Sequence, residues 1–298
     1  MRAAAPGERV AARLSGSELA AALRARTADA ASELAAAGTP PKLAVVVATD
    51  DESSHWYVRS IAKAATKAGL DCDVVDLGPD APDQAIREKV AALNDDVGVH
   101  GIIVQTPLPP GVATRDVVSA IDPAKDVDGA NPASLGRLAA GAPAFAPATA
   151  EAVVALLDHH GIALAGRDVV VLGRSTVVGV PVAHLLLARD ASVTVCHSRT
   201  ADLAAHTQRA DIVIVAVGRP GLVTGEHITS DAVVVDVGTN PADDGSLVGD
   251  VDAEQVGRRA AALTPVPGGV GPVTTALLLW HTVEAARVHA GRLAGQAG

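Results

Sequence analysis

A chain of 298 residues, 49% hydrophobic and 19% charged, is long enough for one large or two ordinary domains with packed cores. Its formal net charge of −10, with no run of Lys or Arg, argues against nucleic acid or an anionic membrane as a partner. The two cysteines, Cys72 and Cys196, form no CxxC pair, so we expect neither a disulfide framework nor a metal site.

The N-terminal sequence does not resemble a secretory signal peptide, because Glu8, Arg9 and Arg13 interrupt its apolar residues. No apolar stretch approaches the roughly 18 residues that are needed to span a bilayer. The sequence therefore predicts a cytoplasmic protein.

Short Val- and Ile-rich runs alternate along the chain with Ala- and Leu-rich runs of helical length. The predicted strands are residues 43–48, 73–77, 100–104, 168–173, 192–196, 211–218 and 232–238. The predicted helices are residues 15–37, 55–68, 149–160, 177–188 and 273–291. Continuous apolar runs are typical of parallel strands that are covered on both faces. Their alternation with helices predicts an α/β fold with mostly parallel sheets.

A segment rich in Pro and Ala, residues 141–150, marks a domain boundary. We expect the three strands before it to form one sheet and the four strands after it to form another. The last helix is long enough to return to the first domain. The predicted domains are therefore 1–147 plus 273–298, and 148–272.

The turn after residues 168–173 resembles a dinucleotide-binding fingerprint, but not closely. The usual GxGxxG becomes Gly173-x-Ser175-x-x-x-Gly179, with Ser as the middle residue and one residue more. Gly173 allows a tight turn, and the helix that follows offers N–H groups to a pyrophosphate. Taken alone the pattern is weak, since an ordinary strand–helix turn produces it too.

The next strand ends where a cofactor's ribose contact is expected, about 20 residues after the turn. Its tip contains Ser198 and Arg199 and no Asp or Glu for a ribose 2′-hydroxyl. Arg199, with Arg174 in the first turn, can bind a 2′-phosphate. Either arginine alone is more often a solvated loop residue. Together, and with the acid absent, they predict a Rossmann-like domain that binds NADP.

Two more strand ends are predicted to reach the same crevice. Gly218 and Gly238 each follow a run of Val, and Thr239 comes directly after the second glycine. Ligands of such sheets bind at the carboxyl ends of the strands. We expect a close approach of cofactor and backbone at both glycines, with simple turns as the alternative.

Four further stretches follow one another along the chain. They are "YVRSIAKA" (57–64), "VQTPLP" (104–109), "KDVDG" (125–129) and "TPVPGGVGPVT" (264–274). With "GRSTVVGVP" and "CHSRT", they resemble the bifunctional methylenetetrahydrofolate dehydrogenase/methenyltetrahydrofolate cyclohydrolase family from about residue 15 to 290. The resemblance implies a folate-binding catalytic domain, an NADP domain, a cleft between them and usually a homodimer. It also implies oxidation of 5,10-methylenetetrahydrofolate to the 5,10-methenyl form, and hydrolysis of that product to 10-formyltetrahydrofolate.

Carried over by motif, the resemblance assigns roles to single residues. Tyr57 stacks on the folate, Gln105 forms a hydrogen bond near the reacting centre, and Asp128 binds the amino-pyrimidine edge of the pterin. The loop from Pro265 to Pro272 lines the cleft, and its substrate contacts are Pro267, Gly268 and Gly269. Singly, each is also explained as a core Tyr, a solvated Gln or a turn Asp.

The chain departs from the family pattern on the folate side. The family has Tyr-x-x-x-Lys where this chain has Tyr57 and Ile61, and it usually has Gly, Leu and Cys at Thr49, Thr106 and Ala148. Helical residues three or four apart share a face. Position 61 therefore shares the Tyr57 face.

No nearby lysine replaces the missing one on that face. Lys63 and Lys67 lie about 200° and 240° round the helix from Ile61. Oxidation of the methylene carbon needs positioning against the cofactor. Hydrolysis needs a proton shuttle, and a desolvated lysine suits that task. Ile61 therefore predicts a dehydrogenase whose cyclohydrolase step is weak or lost.

Three alternatives stay open. The first is the fully bifunctional enzyme, in which another group serves in place of lysine. The second is an NADP dehydrogenase of a different substrate. The third belongs to another class and is a non-catalytic protein that binds a folate or a nucleotide.

Overall fold

The computed structural model describes residues 10–242 and 244–296, which form two compact units. Of the described residues, unit 1 comprises 10–19, 149–242 and 244–273, and unit 2 comprises 20–148 and 274–296. Each unit contains a parallel sheet with helices, so the predicted two-domain α/β fold is confirmed. Within the described ranges, every helix is too short or too polar to cross a lipid bilayer.

Unit 2 is built on a three-stranded parallel sheet. Its central strand β2 (Lys42–Val47) pairs with β3 (Asp71–Asp76) on one side and β4 (Gly101–Val104) on the other. The register aligns Leu43 with both Cys72 and Gly101. Residues 43–47 are fully buried because both faces of the central strand are covered, as the unbroken apolar run predicts.

Five helices and a part of a sixth surround this sheet in unit 2. They are α1 (Ser17–Ala36), α2 (Glu52–Lys67), α3 (Asp83–Asp95), α4 (Thr114–Ser119), α5 (Pro132–Ala139) and the later part of α10 (Val270–Gln296). Helix α2 begins earlier than the predicted residue 55, because the Asp51 carboxylate accepts a hydrogen bond from the Ser54 N–H at 2.7 Å. An aspartate at this position satisfies one of the free N–H groups of the first turn.

The sheet of unit 1 consists of β1 (Ala12–Arg13), β5 (Asp168–Leu172), β6 (Ser192–Cys196), β7 (Ile212–Val215), β8 (Val233–Asp236) and β11 (Ala262–Leu263). These six strands are parallel and lie in the order β1-β11-β8-β7-β5-β6. The chain leaves β5 first toward β6 and then returns to β7 on the other side. The carboxyl ends of β5 and β7 therefore flank the switch point at which sheets of this kind bind ligands.

Helices of unit 1 follow the strands in the expected alternation. They are α6 (Ala148–His159), α7 (Gly179–Leu187), α8 (Leu203–Thr207) and α9 (Ala253–Gly257), and a small antiparallel ribbon consists of β9 (Asn240–Pro241) and β10 (Leu247–Val248).

Three expectations about the domains and sheets need correction. Residues 10–19 belong to unit 1 and not to the first domain, because Ala12 and Arg13 pair with Ala262 and Leu263 as an extra strand. This pairing, with β11 itself, makes the second sheet six-stranded instead of four-stranded. Strand β3 is also not covered on both faces, since Val74 is 46% exposed at the sheet edge.

Candidate active site

The "KDVDG" turn of unit 2 is held by an aspartate that is fully buried. The Asp126 carboxylate accepts hydrogen bonds from the N–H groups of Ala130 and Asn131, both at 2.9 Å, and from Ser134 Oγ at 2.6 Å. These three hydrogen bonds engage both oxygens of the Asp126 carboxylate within the turn itself. Asp126 shapes the turn, and the Asp128 side chain takes no part in these bonds.

Asp128 stands in a protein environment that disfavours its charge. Among the residues that the structure describes, no group donates a hydrogen bond to its carboxylate. Burial raises the pKa of Asp128 to about 7, the negative charge of Asp126 adds to the rise, and His281 opposes it. His281 is fixed in place because its Nδ1 donates to the Val127 carbonyl oxygen at 2.7 Å.

Tyr57 lies close enough to Asp128 for the charge of that carboxylate to affect its pKa. Burial and the negative charge of Asp128 raise the pKa of Tyr57 well above its ordinary value, so the phenol stays protonated. Its hydroxyl forms a hydrogen bond with the side chain of Thr275 on α10. Unit 2 thus brings together a neutral phenol and a half-buried carboxylate from two segments that are far apart in the sequence.

Gln105 follows strand β4 and is held by its amide nitrogen. Nε2 donates to the Thr106 carbonyl oxygen at 2.8 Å and to Ser54 Oγ at 3.4 Å. No described residue donates to its Oε1. This oxygen is free to accept a hydrogen bond at the carboxyl edge of the sheet.

Position 61 lies in the packed face of α2. Ile61 has no exposed surface, and Val58 and Ala65 on the same face are equally inaccessible at 2% and 0%. Lys63 and Lys67 are exposed, as their helical angles predict. His55 donates from Nε2 to the Thr49 carbonyl oxygen at 2.8 Å, so it too is engaged elsewhere.

Unit 1 has a cavity of about 430 Å³ at the switch point of its sheet. Its walls come from the ends of β5, β6 and β7, and they are Leu172, Gly173, Arg174, Ser175, Cys196, His197, Ser198, Thr200, Leu203, Ala216, Val217, Arg219 and Leu222. Four residues predicted for the cofactor, Gly173, Arg174, Ser175 and Ser198, thus lie in this wall. The predicted Arg199 is exposed and outside the lining.

Glycine is required in the turn after β5 for a steric reason. Gly173 has φ +113°, and a Cβ there would lie 2.1 Å from the Ala216 carbonyl oxygen. A Cβ on Gly179 would lie 2.2 Å from the Gly173 carbonyl oxygen. No described residue accepts from the N–H groups of Arg174 and Ser175. Close packing and free N–H groups are what a pyrophosphate site needs.

A buried aspartate that no sequence motif indicates anchors the wall of this cavity. Asp250 is fully buried and accepts hydrogen bonds from the N–H groups of Val217, Gly218 and Arg219 at 2.7, 2.9 and 2.8 Å. It also accepts from Asn240 Nδ2 at 2.8 Å. The loop after β7 is therefore fixed by a single carboxylate.

A second buried aspartate supports the first. Asp236 accepts from the N–H groups of Gly238, Asp250 and Val251 at 2.9, 3.0 and 3.0 Å. Burial raises its pKa to about 6 although these donors oppose the rise. A Cβ on Gly238 would lie 2.4 Å from Asp250 Cγ, so this glycine is explained by packing against Asp250. Thr239 beside it is exposed.

We predict that Asp250→Asn weakens cofactor binding and stability together. An amide in place of the carboxylate turns an N–H group toward backbone donors, and each buried donor left unsatisfied costs about 1–3 kcal/mol. The melting temperature should fall, and the cofactor dissociation constant should rise about tenfold or more by the same penalty. Calorimetry and thermal unfolding measure both. Asp190→Asn, an exposed carboxylate of the same unit, is the control and should change neither.

The glycine-rich loop near the end of unit 1 packs against the start of the chain. The Gly16 N–H donates to the Gly268 carbonyl oxygen at 2.9 Å, and a Cβ on Gly16 would lie 2.1 Å from the Gly269 carbonyl oxygen. Gly268 has φ +106°, which favours glycine, while Pro267 is exposed and Gly269 is buried. Of the three predicted substrate contacts, Gly269 thus has a packing role within unit 1.

Two family descriptions together match most of the sequence. Residues 14–128 match the catalytic domain of tetrahydrofolate dehydrogenase/cyclohydrolase, and residues 147–290 match its NAD(P)-binding domain. The chain belongs to the tetrahydrofolate dehydrogenase/cyclohydrolase family. Unit 2 thus contains nearly all of the family's catalytic domain, and unit 1 contains most of its NAD(P)-binding domain.

Known members of the tetrahydrofolate dehydrogenase/cyclohydrolase family are similar over nearly the whole chain. The bifunctional protein FolD 1 of Saccharopolyspora erythraea is 64% identical over 273 residues, which cover 92% of this chain and 93% of that protein. The bifunctional FolD enzyme of Campylobacter jejuni has a TM-score of 0.90 and 39% identity, with 92% and 98% covered. The Trypanosoma brucei FolD, solved with NADP cofactor and inhibitor, has a TM-score of 0.89 and 38% identity, with 94% and 98% covered.

Proposed function

We propose that the chain is an NADP-dependent methylenetetrahydrofolate dehydrogenase that also hydrolyses 5,10-methenyltetrahydrofolate. The observation that carries the proposal is the Asp128 carboxylate, which has no donor among the described residues and stands beside Tyr57 in the family's catalytic domain. The similarity to proteins named bifunctional supports both reactions. It favours the fully bifunctional alternative over the predicted weakness or loss of the cyclohydrolase.

Three polar residues of unit 2, Asp128, Tyr57 and Gln105, each have a role in folate binding that fits their hydrogen bonds. Asp128 accepts two N–H bonds from the amino-pyrimidine edge of the pterin. The bound substrate thus supplies the hydrogen-bond donors that the described residues do not provide. Tyr57 provides a ring face, since its hydroxyl is engaged with Thr275. Gln105 offers Oε1 to the substrate while Ser54 and Thr106 fix its amide nitrogen. These groups position the methylene carbon, which is what the oxidation needs.

The residues of the unit 1 cavity fit a dinucleotide. The cavity holds the Gly173 turn with its free N–H groups, and the exposed Arg174 and Arg219 at its wall are the cations within its lining. When bound, NADP accepts the hydride from the methylene carbon. The family description covers both NAD and NADP, so the choice of NADP rests on the arginines and on the missing acid at the tip of β6.

We predict a clear preference for NADP over NAD. Arg199→Ala and Arg174→Ala should each lower kcat/KM for NADP about 10- to 150-fold, because a charge-assisted hydrogen bond contributes roughly 1.5–3 kcal/mol, and should leave kcat/KM for NAD unchanged. Steady-state rates with both cofactors test this. Arg209→Ala is the control, because this exposed arginine lines a separate pocket at the amino ends of β5 and β6. Equal use of NAD and NADP by the parent contradicts the prediction.

A specific observation favours a second candidate, a dehydrogenase with little cyclohydrolase activity. Ile61 stands one turn after Tyr57, has no exposed surface, and cannot move a proton. The nearby lysines on α2 are exposed, and His55 is bonded to a backbone oxygen. We propose that Ile61 replaces the lysine of the family's Tyr-x-x-x-Lys pattern.

One assay tests the proposed function against its alternatives. Purified protein is mixed with 5,10-methylenetetrahydrofolate and NADP, and NADPH and methenyltetrahydrofolate are followed by absorbance. Production of NADPH supports the dehydrogenase, and its absence leaves a different substrate or a non-catalytic binding protein. Added methenyltetrahydrofolate, followed with and without protein, measures the hydrolysis separately and distinguishes the two candidates.

The proposal also includes a cytoplasmic homodimer, which the family resemblance implies. Light scattering of the purified protein at several concentrations measures the mass directly. A mass that corresponds to 29.8 kDa at all concentrations would identify a monomer instead.

A further inference from the structure

Unit 2 contains a cavity of about 110 Å³ beside the amino end of β4, which we call the histidine cavity. Gln105 follows the opposite end of β4, so this cavity is separate from the candidate folate site. No residue with a role in the proposed reaction lines it. Its other lining residues are Val or Ala, and its polar ones are His100, Asp122, Lys125, His289 and Arg292.

His100 lines the histidine cavity with one ring nitrogen engaged and the other without a partner. The residue is 4% exposed, and its Nδ1 accepts a hydrogen bond from the Lys42 N–H at 3.3 Å. Because a backbone N–H can only donate, Nδ1 is unprotonated and the neutral ring carries its proton on Nε2. Burial, His289 and Lys125 lower the pKa of His100 to about 4, so the ring is neutral at pH 7.

The buried Nε2–H of His100 therefore lacks an acceptor within the described part of the chain. A buried donor without a partner costs free energy, which a ligand that accepts from it recovers. Nε2 lies on the side of the ring away from Lys42. His289 on α10 stands next to the same ring, with the two ring centroids 5.5 Å apart and the ring planes at 69°.

Two cations and one acid determine the charge of the histidine cavity. Lys125 contributes charge but no hydrogen bond, because its Nζ already donates to three backbone carbonyl oxygens around the end of α3 at 2.7 to 3.0 Å. Arg292 is exposed and pairs with no acid among residues 10–242 and 244–296. Asp122 opposes them, but it is exposed and Oδ1 accepts from the Ala124 N–H at 2.8 Å. The cavity is therefore positive overall.

The protonation of His100 decides which class of ligand the cavity can take. A ring nitrogen binds a metal ion only when it is unprotonated and unengaged, and here Nδ1 is engaged while Nε2 carries the proton. In the described ranges, no group of three or more His, Cys, Asp or Glu side chains could hold a metal ion. A ligand with acceptor oxygens and negative charge matches the donor and the cations.

We infer that the histidine cavity binds a small oxyanion, of which inorganic phosphate is the probe. One oxygen accepts the buried Nε2–H of His100, and others face His289 and the guanidinium of Arg292, whose fork of N–H groups matches such an ion. The volume of about 110 Å³ is well above the roughly 10–15 Å³ that one water molecule needs. This site goes beyond the proposed reaction and does not depend on it.

The test follows the Nε2–H proton of His100 by nitrogen–proton NMR of ¹⁵N-labelled protein during a titration with inorganic phosphate. We expect a saturable shift of this signal, and none with sodium chloride at the same ionic strength. His100→Asn identifies the signal, because its Oδ1 can still accept from the Lys42 N–H while the ε nitrogen is missing. Phosphate that enters the cofactor cavity of unit 1 should leave the His100 signal unchanged.

A matched pair of variants examines the cation, and both members change exposed side chains. Arg292→Gln should weaken phosphate binding about tenfold, because it removes a hydrogen bond between two charged groups. Arg115→Gln removes the same charge from unit 2 outside the cavity and should bind phosphate like the parent. The melting temperatures of both variants should equal that of the parent.

Three results would each overturn the inference. The first is a His100 signal that phosphate leaves in place, as expected of a cavity that holds only water. The second is an equal shift with sodium chloride. The third is a phosphate affinity that Arg292→Gln leaves at the parent value or that Arg115→Gln lowers as much. The readout requires no turnover, so failure of the proposed function leaves the test intact.

Discussion

Asp128→Ala is expected to abolish methylenetetrahydrofolate oxidation and to leave NADP binding intact. The substitution removes an acceptor that faces two pterin donors, and each charge-assisted hydrogen bond contributes roughly 1.5–3 kcal/mol. The loss in kcat/KM for the folate is therefore about 10²–10⁴-fold. Turnover assays measure the first effect, and calorimetric titration with NADP measures the second, because the cofactor cavity lies in unit 1.

Two further variants make this test specific to the charge. Asp128→Asn keeps the size of the side chain but places an amide nitrogen where the pterin also donates, so it should be nearly as inactive. Asp80→Ala, an exposed carboxylate of unit 2, should keep full activity. An active Asp128→Ala protein that turns over the folate at the parent rate would contradict the role of Asp128.

The pH profile provides a second readout of the same group. With a pKa of about 7, the Asp128 carboxyl is neutral below pH 7 and cannot accept both pterin N–H groups. As the pH rises through 7 the carboxylate forms, so kcat/KM for the folate should rise and then level off. This rise should be absent in Asp128→Asn, whose side chain does not titrate.

The local pattern of the sequence was sufficient for most of the regular elements. Strand β6 begins and ends at the predicted residues 192 and 196, and α6 differs from its prediction by one residue at each end. Helix α3 was not predicted although its signals are present. Ile86, Val90 and Leu93 recur at helical spacing and are buried, and Arg87 pairs with Asp83 one turn earlier at 2.6 Å.

Long-range pairing explains what local patterns could not predict. Residues 12 and 13 form a strand through partners about 250 positions away, and nothing in "ARLSG" indicates this. The pKa of Asp128 likewise depends on His281, whose bond to Val127 spans 154 positions. The motif identified Asp128, but its protonation near neutral pH follows only from the folded surroundings.

The sequence patterns did not predict the buried aspartates that support the candidate site. Asp250 sits between apolar residues in "VGDV", and Asp236 ends the apolar run "VVVD". An aspartate within an apolar run is unusual because a buried carboxylate needs several donors. That cue marks such a residue as structural or functional, but its donors at Val217, Gly218 and Arg219 become known only with the fold.

Under the second candidate, a dehydrogenase with little cyclohydrolase activity, Ile61→Lys is expected to increase methenyltetrahydrofolate hydrolysis about 10²–10⁴-fold over the parent, the usual contribution of a general acid–base group. Position 61 shares the Tyr57 side of α2 and has no exposed surface. A lysine there is desolvated, and burial lowers the pKa of an ammonium group toward neutrality, where it can both accept and donate a proton. Decay of added methenyltetrahydrofolate, corrected for the buffer rate, measures the effect.

Burial of the new lysine also destabilises the folded protein, so the controls must distinguish a loss of stability from a change in the rate of hydrolysis. An uncompensated buried charge destabilises by several kcal/mol, and the melting temperature of Ile61→Lys should fall accordingly. Ile61→Met, similar in volume and unable to move a proton, should match the parent in hydrolysis. Dehydrogenase activity of Ile61→Lys reports that its site is intact, since oxidation needs positioning alone. If the parent itself accelerates the decay above the buffer rate, and Ile61→Lys still oxidises its substrate but hydrolyses no faster, lysine is dispensable at position 61. The weak-cyclohydrolase candidate is then wrong, and the fully bifunctional enzyme remains.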